Sequence, residues 1–130
     1  RWSYLTSKAS VSSVMRSPPV AAAPSETVAS VAEKMVMENI GAIIIMSGEV
    51  PVGIVTERDM VEKVLRWGKD PRMTSVRDIM SPNIVTIEAD ESVVEALRMM
   101  RETKIRRLAV ARDEKIVGIV TERRLLDSLV

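Results

Sequence analysis

The chain has 130 residues, 28% of them charged, with 19 lysines and arginines against 18 acids. That near-neutral balance excludes the broad basic field of a general nucleic-acid binder or a polybasic membrane anchor. With no cysteine and no histidine, it also excludes disulfides, thiolate and imidazole catalysis, and the N and S ligands of zinc and copper sites, so no metal is expected. The longest apolar run, Ile40 to Met46, falls far short of the roughly 20 residues a membrane span needs. A soluble, cytoplasmic protein is expected. Residues 1–10 lack the apolar core of a signal peptide and read as an N-terminal arm, and the opening on Arg1 suggests a chain cut from something longer.

The chain repeats itself. An offset of 65 residues lays Gly53-Ile54-Val55-Thr56-Glu57-Arg58 on Gly118-Ile119-Val120-Thr121-Glu122-Arg123, and it also matches Val11 with Val76, Met15 with Met80 and Met35 with Met100. Two copies, 11–65 and 76–130, are separated by a connector, 66–75, marked by Gly68 and Pro71. In the first copy Val28, Val31, Ala32 and Met35 have helical spacing, with Thr27 or Ser25 as cap; Val93, Ala96, Leu97 and Met100 repeat it behind an S-x-x-E capping box, Ser92 and Glu95. Apolar runs at 42–46 and 108–111 then meet turn residues and pair as hairpins with 52–55 and 117–120. A second helix starts at Thr56 and at Thr121. Each copy reads β-α-β-β-α, an α/β (α+β) pattern. One such unit leaves an apolar sheet face bare, so the two repeats are expected to pack sheet to sheet around one shared core with approximate two-fold symmetry.

Two uses are open for the strand-to-helix corner Gly53 to Asp59. Thr56 and Asp59 suit a capping box, while a carboxylate beside free helix N–H groups also suits sugar hydroxyls and anions. The second copy places Arg124 where the first has Asp59, a charge that the helix dipole mildly opposes, so the two corners are expected to differ in task. Charge divides similarly: residues 11–65 hold 4 basic and 7 acidic residues, whereas 76–130 hold 10 of each. Glu57 and Asp59 do not share a helix face, and no phosphate loop or dinucleotide fingerprint occurs, so no catalytic residue is expected and the chain is read as a non-enzyme. Met35, Met37, Met99 and Met100 read as core fillers or a partner-binding helical face. Trp67, Trp2 and Tyr4 read as docked anchors.

The duplicated G-I-V-T-E-R motif, its spacing and the turn Met80-Ser81-Pro82 resemble a tandem pair of CBS (cystathionine β-synthase) domains, a Bateman module, over residues 11–130. The resemblance implies an adenosine nucleotide (AMP, ADP or ATP) bound as a regulatory ligand between repeats, and a role as an energy or metabolite sensor for an effector protein. It puts the ribose on Asp59, with Thr56, Gly53 and Ile54 at the same corner, adenine against Val85-Thr86-Ile87, and phosphates on Arg106 and Arg107; Arg58 and Arg123, in the first turns of the two second helices, are expected in support, since a bound phosphate would relieve their repulsion with the helix dipole. S-adenosylmethionine is disfavoured by those arginines. A second, weaker site would use Val20-Ala21-Ala22, Thr121 and Arg124. The resemblance further implies a homodimer formed through helical faces. The alternative is a module that binds no ligand and serves only assembly.

Overall fold

The computed structural model describes residues 9–130; Trp2 and Tyr4 lie outside the described residues. The chain divides into two compact units, Val20–Ile84 and the described part of Arg1–Pro19 together with Val85–Val130, called here unit A and unit B. Each holds a three-stranded sheet built to one plan.

In unit A, β1 (Ala21–Ala22) runs parallel to β2 (Ala42–Ser47), which pairs antiparallel with β3 (Val50–Thr56). Helix α1 (Val28–Glu38) joins β1 to β2, and α2 (Glu57–Met60) follows β3 and continues as a π-helical turn, Val61–Leu65. Unit B repeats this with β4 (Thr86–Glu88), α3 (Val93–Thr103), β5 (Arg107–Arg112), β6 (Lys115–Thr121) and α4 (Glu122–Asp127), and with the same parallel and antiparallel pairings. The repeat extends to irregularities. A β-bulge follows Ile45 in one hairpin and Val110 in the other, equivalent places at the 65-residue offset. In unit B, Asp113 and Glu114 both take positive φ, as a two-residue turn matched to strand twist requires.

Local chemistry fixes the helix ends. Thr27 caps α1 by accepting from the Ser30 N–H at 3.1 Å, and Ser92 caps α3 by accepting from the Glu95 N–H at 3.0 Å. The expected reciprocal half of the Ser92 box is replaced: the Glu95 carboxylate pairs with the Arg98 guanidinium, one turn along the same face. Asn39 and Lys104 end the two helices in the left-handed conformation.

The buried apolar side chains form two clusters, each drawn from one unit. Val28, Val31, Met35, Ile43, Ile45, Val55 and Val64 fill unit A; Val93, Ala96, Met100, Leu108, Val110, Val120 and Leu125 fill unit B. Ala42 and Ile44, which alternate with Ile43 and Ile45, are buried as well, so β2 is covered on both faces.

The opening turns are exchanged. The 3₁₀ turn Val11–Ser13 packs in unit B, where Val11 N–H donates to the Glu91 carbonyl at 2.8 Å and Arg16 and Ile119 exchange backbone bonds of 2.8 and 3.1 Å. The equivalent turn, Val76–Asp78, packs in unit A, where Val76 N–H donates to the Glu26 carbonyl and Ser81 and Ile54 exchange bonds of 2.9 Å. The connector joins unit A as well: the Thr74 and Pro71 carbonyls accept from Val28 and Ala29, satisfying N–H groups at the start of α1. Trp67 is no docked anchor. It is 65% exposed, and its ring lies 4.8 Å from the Arg66 guanidinium, which covers it as a cation–π partner.

Candidate functional site

In unit A, Gly53 and Ile54 lie on β3, and Thr56 ends that strand as the N-cap of α2. Gly53 lets Met80 pack close over β3: a Cβ there would stand 2.5 Å from Met80 Sδ. The full capping box forms. Asp59 N–H donates to Thr56 Oγ1 at 3.2 Å, while Asp59 Oδ2 accepts from Thr56 N–H at 2.9 Å and from Thr56 Oγ1 at 3.1 Å. Asp59 Oδ1 pairs with Lys63 Nζ at 3.1 Å, and the carboxylate is only 14% exposed. Arg58 points elsewhere: it is 83% exposed and donates to Glu62 at 2.8 Å, an exposed pair whose main effect is to raise the guanidinium pKa further. The corner therefore presents an oriented, partly sheltered carboxylate that can accept hydrogen bonds from a diol.

In unit B the same corner is built differently. Thr121 caps α4 and accepts from the Arg124 N–H at 3.2 Å, but the Arg124 side chain leaves the corner and donates through Nε to the Val14 carbonyl at 2.7 Å. Arg124, not a carboxylate, occupies the position equivalent to Asp59. A concavity of about 490 Å³ opens here, lined by Ser13, Val14, Thr121, Arg123, Arg124, Asp127 and Ser128. A second, of about 410 Å³, lies in unit A between α1 and α2 and includes Met35, Asn39, Gly41, Glu57 and Met60.

The remaining expected residues are placed within their own units. Thr86 and Ile87 lie on β4, with Thr86 exposed and Ile87 buried; Val85 precedes the strand, and its carbonyl accepts from the Ala109 N–H at 3.0 Å. Arg107 opens β5, paired in register with Thr121, so it stands beside the unit B corner. Arg106 precedes it, 82% exposed, with Glu122 Oε1 3.8 Å away and its carbonyl accepting from the Glu122 N–H. Arg106, Arg107 and Arg123 thus gather around the start of α4. Ala21 and Ala22 form β1, Val20 precedes it, and the Ala21 carbonyl takes a hydrogen bond from Lys34 Nζ at 2.9 Å. Lys63 was not singled out from sequence; its signal was the four-residue spacing from Asp59 on a helix. Of the four helix methionines, Met35 and Met100 are core, Met99 packs against the core, and Met37 is 77% exposed beside Val36 at 78%.

Two repeats of one sheet-and-helix plan with duplicated G-I-V-T-E-R corners define a tandem two-repeat module, and the match is direct: the CBS domain family covers residues 11–66 and 76–130. The chain belongs to the CBS domain family, whose paired members are generally regulatory. It is 41% identical over 119 residues to the uncharacterized protein MK0525 of Methanopyrus kandleri, covering 90% of this chain and 61% of that one, so it spans less than two-thirds of that relative. Among solved structures, a hexameric CBS-CP12 protein from bloom-forming cyanobacteria superposes with a TM-score of 0.81 at 29% identity, covering 91% of this chain and 70% of that one. Hypoxic Response Protein I, solved with two coordinated zinc ions, superposes with a TM-score of 0.78 at 29% identity, covering 91% and 97%. Among the described residues here, no group of three or more His, Cys, Asp or Glu is placed to hold a metal, and no helix is long and apolar enough to cross a membrane.

Proposed function

We propose that the chain is a cytoplasmic sensing module that binds one adenosine nucleotide, AMP, ADP or ATP, without turning it over, and passes its occupancy to an effector protein. The observation that carries this reading is the difference between the two corners. Asp59 is held by Thr56 as an oriented acceptor suited to the ribose 2′- and 3′-hydroxyls, whereas Arg124, its counterpart, is turned away to a backbone carbonyl. One working ribose site per chain follows from that asymmetry. Arg106 and Arg107 are the cations that family likeness assigns to the phosphates, with Arg123 in support from the first turn of α4; the exposed Arg106 and Arg123 are able to exchange carboxylate or water partners for a phosphate.

The test is calorimetric titration of the nucleotide-free chain with AMP, ADP, ATP and S-adenosylmethionine. One site per chain is expected, lost in Asp59→Ala and retained in Arg124→Ala, with circular dichroism checking that both variants are folded. Two equal sites would overturn the reading. A specific observation favours a second: Val36 and Met37 leave an exposed apolar step on α1, and the CBS-CP12 neighbour is hexameric, which suits a module that assembles without ligand. That reading predicts no heat with any nucleotide and a homodimer or larger assembly in sedimentation that Met37→Glu disrupts.

A further inference from the structure

The exchanged opening turns are fastened at one equivalent atom in each unit. The carbonyl of Ile79, in the turn docked on unit A, accepts from Lys63 Nζ at 3.0 Å, and that ammonium is also 3.1 Å from Asp59 Oδ1. At the 65-residue offset Ile79 corresponds to Val14, whose carbonyl accepts from Arg124 Nε at 2.7 Å in unit B. Arg124 stands at the position of Asp59, and Ser128 at that of Lys63. The Ser128 hydroxyl cannot do what Lys63 does, since it is short and donates back to the Leu125 carbonyl of its own helix at 2.6 Å. The two differences between the repeats are therefore one coupled exchange: an acid and a lysine in unit A are replaced in unit B by a single arginine that reaches the same carbonyl directly.

The consequence differs between the units. In unit B, among the described residues, the fastening cation forms no ion pair with a carboxylate at that corner. In unit A it is tied to the carboxylate proposed to take the ribose. We infer that Lys63 is a positioning residue that couples occupancy of Asp59 to the hold on the Ile79 carbonyl, and hence to the segment Val76–Ser81 that opens the second repeat. The inference rests on Asp59 as the ribose site. A diol that draws on both carboxylate oxygens competes with Lys63 for Oδ1 and removes the counter-charge that orients its ammonium, so binding loosens the docked turn. The π-helical turn Val61–Leu65 carries Lys63, and such local departures from α-helical bonding are common at functional positions.

Amide hydrogen exchange reads this without activity. The Ser81 and Ile54 amides, which bond across the docked segment to the Ile54 and Ser81 carbonyls, report its hold. In the ligand-free chain, Lys63→Met, which keeps the aliphatic stem, is expected to raise their exchange rates about tenfold, the factor a lost hydrogen bond to a charged group corresponds to. The double variant Asp59→Arg with Lys63→Ser transplants the unit B arrangement and is expected to restore protection. Saturating AMP is expected to raise exchange at the same amides in the natural chain and to leave Lys63→Met unchanged. Unaltered exchange in ligand-free Lys63→Met overturns the inference whatever the chain binds, as does AMP that binds calorimetrically without altering exchange. Absence of heat with AMP, alongside fast exchange in Lys63→Met, overturns the coupling by showing that the ribose assignment failed while the fastening stood.

Discussion

Replacing the strand glycines tests the exchanged architecture, because each glycine faces a docked segment from outside its own hairpin. An alanine at Gly53 places its Cβ 2.5 Å from Met80 Sδ, 2.8 Å from Cγ and 3.0 Å from Cβ. Comfortable contacts are about 3.5–4.0 Å, so the methionine must retreat by about 1 Å. Met80 is flexible and half-buried, which puts the cost near the low end of overpacking, about 1 kcal/mol. An alanine at Gly118 meets Met15 Sδ at 2.6 Å and, in addition, the Arg16 carbonyl oxygen at 2.7 Å. That oxygen accepts from Ile119, one of two reciprocal bonds holding the opening segment, so it cannot move without breaking the pairing. The cost rises to about 3 kcal/mol. Denaturant unfolding of the two single variants measures the difference. The corresponding double variants sharpen it: Met80→Ala should abolish most of the Gly53→Ala penalty, whereas Met15→Ala should leave about 2 kcal/mol of the Gly118→Ala penalty, because the carbonyl remains. Equal penalties at the two glycines, or full relief by Met15→Ala, would refute the reasoning.

Two further predictions concern the helix starts and pH. Thr27→Ala and Ser92→Ala should each cost about 1 kcal/mol in chemical denaturation, while Glu95→Gln should cost clearly less than Ser92→Ala, since its carboxylate serves an exposed pair with Arg98 in place of the cap. The Glu26 carboxylate accepts from the Ala23 N–H, with Lys34 and Ser30 adding to it, and these bonds hold its pKa below the ordinary carboxylate range. A depressed acid stabilises the fold above the unfolded-state pKa and loses that contribution as pH falls through the folded one. The stability gap between the natural chain and Glu26→Gln should therefore be full near neutral pH and close in acid; a gap that widens on acidification would contradict the assignment.

Much of the fold was legible because the duplication fixes it twice. The helix spacing of Val28 to Met35 recurs at Val93 to Met100, and each hairpin carries its turn residues and its cap threonine. The exchange of opening turns was not legible. Val11, Val14 and Met15 are close equivalents of Val76, Ile79 and Met80, so the apolar pattern fits either unit equally well, and the path of the connector along the start of α1 decides. At the candidate site, the Thr56–Asp59 box and the divergence of Arg124 could be read from spacing. The partner of Arg124 could not, since the Val14 carbonyl lies 110 residues away in sequence and backbone atoms carry no residue signature. Trp67 misled for a related reason: its composition suggests burial, but its neighbour Arg66 covers it in solvent.

The most direct measurement of the central claim is titration of ¹⁵N-labelled chain with AMP, following the backbone amides of the two corners. The account predicts saturable shifts at Thr56, Arg58 and Asp59, with Thr121, Glu122 and Arg124 shifting less and losing no cap, and no response in Asp59→Asn. Equal saturable shifts at both corners, or shifts at Thr121 to Arg124 alone, would contradict it.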